Sequence, residues 1–76
     1  MDDGAYKKLR DLLVEVRKAA DLTQAELSQR LNRPQSFVSK YERGERRLDV
    51  VEFGEVAKAL SVDPVKLLEK FYREMQ

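Results

Sequence analysis

From Tyr6 onward the chain sets apolar residues at helical spacing, Leu9, Leu12, Leu13, Val16 and Ala20, with charged positions between them. That stripe predicts an amphipathic helix over about 5–19. Thr23 with Glu26 three residues on then forms a capping box, and Leu22 with Leu27 fits the hydrophobic staple around it. A second helix is expected from Thr23 to about Leu31.

Asn32, Arg33 and Pro34 must end that helix. Pro34 disfavours the α conformation at Arg33, and Asn32 tolerates the left-handed conformation of a C-cap. Pro34 also suits the start of a third helix near 35–43, with Val38 and Tyr41 on its inner face and Gly44 as its stop. Helices separated by about three residues must cross at a large angle, which predicts a helix-turn-helix over about 23–43. A second capping box, Asp49 with Glu52, is flanked by a Leu48 and Phe53 staple and opens a helix through Val56, Ala57 and Leu60. Asp63 followed by Pro64 opens a fifth over about 64–75, carrying Val65, Leu68, Phe71, Tyr72 and Met75. No segment alternates as a strand would, so the expected class is all-α, five short helices in one domain spanning 1–76.

Composition narrows the chemistry. At 76 residues the chain has room for one small core. It contains neither cysteine nor histidine, so a disulfide framework and a thiolate or imidazole metal site are excluded, and no cofactor is expected. An enzyme would need a carboxylate or lysine site, yet the acidic residues sit where caps and solvated faces account for them, so no catalytic residues are assigned. The acidic start lacks the pattern of a signal peptide and no run approaches the roughly 20 apolar residues of a membrane span, which predicts a cytoplasmic protein without a membrane partner.

The formal charge is only +1, but it is unevenly distributed. Between Arg30 and Arg47 stand Arg30, Arg33, Lys40, Arg43, Arg46 and Arg47 against Glu42 and Glu45 alone. A local positive patch of this kind attracts a polyanion.

The ordered set LTQAEL, FVSKYERG and ALSVDP resembles the phage-repressor and Cro-like helix-turn-helix family, also called XRE-type, over nearly the whole chain. The resemblance implies a five-helix lambda-repressor-like fold and a sequence-specific, double-stranded-DNA-binding transcriptional regulator whose second motif helix enters the major groove. By position it implies base contacts from Gln35, Ser36 and Lys40, and backbone contacts from Gln24, Ser39, Arg43, Arg46 and Arg47. Gln can grip adenine and Lys can donate to guanine, whereas arginines in a loop suit phosphates. It also implies a buried ion pair between Arg17 and Glu42. Three positions depart from the family pattern: Asn32 replaces the usual Gly, Arg33 stands where an apolar residue is common, and Pro34 replaces a Ser or Thr cap.

The stripe Leu68, Phe71, Tyr72 and Met75 completes the expectations. With Val65 and Leu68 used internally, Phe71, Tyr72 and Met75 are expected to form an exposed apolar interface for a homodimer on a palindromic operator. The alternative is a protein-interaction module, such as a toxin-neutralising partner, with DNA binding secondary.

Overall fold

The computed structural model describes residues 4–75, so the acidic start at Asp2 and Asp3 lies outside the described residues. Five helices follow one another, α1 Gly4–Ala19, α2 Gln24–Arg30, α3 Ser36–Glu42, α4 Val50–Ala59 and α5 Pro64–Glu74, with no strand among the described residues. Both capping boxes form. Thr23 Oγ1 accepts from the Glu26 N–H at 3.0 Å while Glu26 accepts from the Thr23 N–H at 2.9 Å, and Asp49 and Glu52 repeat the exchange at the start of α4. Each satisfies donors that the first helical turn leaves without an intrahelical partner.

The first four helices end in the same way. Asp21, Asn32, Gly44 and Ser61 take positive φ values of 59°, 55°, 80° and 62°. The next N–H in each case returns to a carbonyl five residues back: Leu22 to Arg17, Arg33 to Ser28, Glu45 to Lys40 and Val62 to Ala57, at 2.9 to 3.2 Å. This is the Schellman ending, and only Gly44 among the four carries no Cβ penalty there. Asn32 serves where glycine is usual because its short polar side chain tolerates the left-handed region.

Leu12, Leu13, Leu27, Val38, Tyr41 and Val56 form the centre of the core, with α1 and α2 packed on α3 and with α5 closing over α1 and α4. The fifth helix corrects the sequence reading. Its inner face is Leu67 and Phe71, with Leu68 half-buried, whereas Val65 turns outward. Phe71 is only 9% exposed and belongs to the core, while Tyr72 and Met75 remain exposed. Two overlapping stripes, one beginning at Pro64 and one at Leu68, satisfy helical spacing equally well. Packing against α4 and α1 selects the earlier one.

Among the described residues no helix is long and apolar enough to cross a membrane, and no cluster of acidic or metal-ligating side chains could hold an ion.

Candidate nucleic-acid interface

The helix-turn-helix is α2, the turn 31–35 and α3. Pro34 leaves α3 without the side-chain cap common at such a position, and Gln35, its N-cap residue, supplies none. A neighbouring helix supplies it instead. The buried hydroxyl of Ser28 on α2 accepts from the Val38 N–H at 3.4 Å and donates to the Gln35 carbonyl at 3.2 Å, while the Phe37 N–H reaches the Pro34 carbonyl at 2.9 Å. The start of α3 is therefore anchored from α2, which helps to fix the angle between the two helices.

Phe37, Val38 and Tyr41 point into the protein. The opposite face of α3 carries Ser36, Ser39, Lys40 and Arg43 at i, i+3, i+4 and i+7, with Gln35 just before it. Gln35, Ser36, Lys40 and Arg43 are exposed, and Ser39 is half-buried with its hydroxyl donated to the Ser36 carbonyl at 3.1 Å. The face is thus polar amides and hydroxyls at its N-terminal end and cations at its C-terminal end.

Behind it, α3 is clamped to α1. Arg17 Nε and Nη2 donate to the two carboxylate oxygens of Glu42 at 2.8 and 3.1 Å, and both side chains are largely buried. Arg17 Nη1 also donates to the Leu22 carbonyl at 2.8 Å. The bond to Glu42 raises the Arg17 pKa further, so the guanidinium stays charged. Gln24 joins this cluster, its Nε2 donating to Glu42 Oε1 at 2.7 Å. The side chain of Gln24 is therefore turned toward α3, while its backbone opens α2.

The remaining cations divide into two kinds. Arg43 Nε pairs with Glu45 at 2.5 Å on the surface, and Arg47 stacks over the Tyr6 ring with its guanidinium carbon 3.8 Å from the centroid. Arg46 makes a two-point pair with Glu52, Nη1 to Oε1 at 3.0 Å and Nη2 to Oε2 at 2.5 Å. Arg33 approaches the same Glu52 at 3.8 Å and Glu55 at 3.4 Å. Lys40 and Arg47 have no carboxylate partner within 4.0 Å among the described residues. The positive stretch is thus partly compensated, and its uncompensated charge lies at Arg30 at the end of α2, on the outer face of α3 at Lys40, and in the following loop at Arg47.

Sequence reasoning missed four participants: Ser28, Phe37, Arg33 as a member of an ion-pair cluster, and Glu52 as its anchor. Phe37 was detectable, being four residues before Tyr41 on the same helical face. Ser28 and the Arg46–Glu52 pair carry no such signal, because their partners meet only when separate elements pack.

Two helices joined at a tight turn, the second bearing a polar and cationic outer face, define a helix-turn-helix protein of the DNA-binding kind. The HTH_3 helix-turn-helix family model matches residues 13–67, and the chain belongs to this XRE-type family of DNA-binding transcription regulators. Among solved structures it is similar to an XRE-family like protein from Pseudomonas syringae pv. tomato str. DC3000, with 50% identity, 97% of this chain and 90% of that one covered, and a TM-score of 0.91. The wild-type restriction-modification controller protein C.Esp1396I shares the fold at 23% identity, with 97% of each chain covered and a TM-score of 0.86. No curated protein matches the chain.

Proposed function

We propose that the chain is a sequence-specific regulator of transcription that lays α3 in the major groove of double-stranded DNA. The observation that carries this reading is the outward-facing row Ser36, Ser39, Lys40 and Arg43, exposed but for the half-buried Ser39, on a helix whose other side is buried and clamped. Gln35, Ser36 and Lys40 read base edges, where each good two-point contact is worth about 1–3 kcal/mol of discrimination. Gln24, Ser39, Arg43, Arg46 and Arg47 engage the sugar-phosphate backbone, which fixes register without reading sequence.

The active species is a homodimer on a palindromic operator. The exposed surface of α5 includes Tyr72 and Met75, and an apolar groove beside it is lined by Leu9, Leu48, Val50, Leu68 and Tyr72. Val50 is 81% exposed, and apolar surface left open in this way marks an interface. The interface is thus Tyr72 and Met75 with Val50, and Phe71 supports it from within the core. A two-fold pair places recognition helices about 34–36 Å apart, on half-sites roughly 10–10.5 base pairs apart between centres.

Selection of bound sites from a random duplex library, followed by titration at several salt concentrations, tests the reading. Enrichment of an inverted repeat is expected, with affinity falling by roughly 10³–10⁵ between 50 and 200 mM salt for about 6–10 phosphates neutralised. A chain that enriches no sequence, or binds without salt dependence, is not the regulator described.

A further inference from the structure

We infer that Arg33 and Arg46 form one phosphate clamp on one flank of α3 and that Glu52 is the positioning residue that holds both in place. The inference rests on the reading of the chain as a DNA-binding protein, and it adds to that reading a contact residue, Arg33, and the device that orients it.

The two arginines come from opposite ends of α3, Arg33 from the turn before it and Arg46 from the loop after it. They converge on one side chain of that helix. The guanidinium carbons lie 4.9 and 5.0 Å from the centroid of the Phe37 ring. Two like charges gathered on a single aromatic ring repel each other, so the arrangement needs an anion between them. Glu52 supplies it, its Oε2 lying 2.5 Å from Arg46 Nη2 and 3.8 Å from Arg33 Nη1.

Glu52 cannot follow its partners outward. Its Oε1 also accepts from the Asp49 N–H at 3.0 Å, which ties the carboxylate to the first turn of α4. The side chain of Glu52 is 10% exposed, against 36% for Arg33 and 39% for Arg46. The anion is hidden and the cations face solvent. A guanidinium has five N–H donors in a rigid plane, so a carboxylate on one edge leaves others for a second oxyanion. Held in this way, each arginine loses little further freedom when it meets a phosphate. Two cations gathered at one carboxylate beside Phe37 are placed together, for a single stretch of backbone along one edge of the groove that the helix occupies.

A purely electrostatic account makes the opposite forecast, because Glu52 is a negative charge near DNA and deleting it should strengthen binding. Glu52→Gln separates the two. Gln still closes the capping box, so α4 keeps its start. Duplex titrations over a range of salt are made with the full chain and the variants Arg33→Ala, Arg46→Ala, Glu52→Gln, the double arginine variant, and that double variant with Glu52→Gln added, each checked for folding by thermal melt.

Arg33→Ala and Arg46→Ala are each expected to weaken all sequences alike and to lower the salt slope by about 1. Glu52→Gln is expected to weaken binding by roughly tenfold, the scale of one charge-assisted hydrogen bond, although it removes a negative charge. On the double arginine background it is expected to add nothing. Tighter or unchanged binding by Glu52→Gln overturns the positioning role, as does a full effect that persists without the arginines. An Arg33→Ala variant with the wild-type salt slope removes Arg33 from the clamp. Wild type that binds no duplex overturns the clamp and the DNA-binding reading together, whereas the other outcomes leave that reading standing.

Discussion

Arg17 grips the carboxylate of Glu42 at two points, Nε at 2.8 Å and Nη2 at 3.1 Å, and so joins the last turn of α1 to the last turn of α3. A negative charge at a helix C-terminus is disfavoured by the macrodipole, and the guanidinium compensates it. Arg17→Met leaves Glu42 buried with only the Gln24 amide, and a loss of about 3–5 kcal/mol is expected in denaturant melts. A domain of this length has roughly 4–11 kcal/mol in all, so the variant should sit near the edge of folding. A change under about 1 kcal/mol would instead describe a solvent-screened pair.

Ser28 caps α3 from another helix, so Ser28→Ala removes an acceptor at the Val38 N–H and a donor to the Gln35 carbonyl. The expected loss is about 1–2 kcal/mol, the range of an N-cap residue, with the denaturant slope unchanged. A neutral substitution would mean that the Val38 N–H has another partner in solution.

The Glu52 carboxyl titrates at about 2 rather than 4.5, held down first by its bonds to Arg46 and then by the Asp49 N–H. The folded state therefore favours the ionised form. That contribution is complete above the ordinary value of 4.5 and disappears as pH falls toward about 2. Thermal midpoints measured across this window should drop more steeply for wild type than for Glu52→Gln. Parallel curves would show that Glu52 has its ordinary pKa when folded.

Tyr72→Asp tests the interface without disturbing the core, since Tyr72 is exposed whereas Phe71 is buried. The variant is expected to sediment as a monomer at tens of micromolar and to bind the selected operator weakly, while Lys66→Ala changes neither. Wild type that is itself monomeric at that concentration removes α5 from the interface.

What could be read along the chain depended on how far apart the partners lie. The boxes Thr23 with Glu26 and Asp49 with Glu52 were legible because each is complete within four residues, and Asn32 and Gly44 advertised their left-handed turns by residue type. Asp21 and Ser61 make the same turn without that signal. The inner face of α3 at Val38 and Tyr41 followed from spacing, whereas the outward placing of Gln35, Ser36 and Lys40, which are exposed, came from the family resemblance. The surroundings of Arg46 were not legible, because Phe37 and Glu52 reach it from two different helices. The phase of α5 was misjudged for a related reason. Leu67 and Leu68 are adjacent apolar residues, and only contact with α1 and α4 decides which of the overlapping stripes turns inward.

The repeated joint at Asp21, Asn32, Gly44 and Ser61 also bears on how the chain reaches its shape. Each joint closes a ring of six residues, from the carbonyl of Arg17 to the amide of Leu22 in the first case. The chain's change of direction after each of the first four helices is therefore encoded next to the bend, and little loop-closure entropy must be overcome before distant side chains meet. Helical domains governed by such near-neighbour contacts fold in microseconds to milliseconds. Refolding after a denaturant jump should fall in that range, and assembly of the proposed dimer should add a slower, concentration-dependent step.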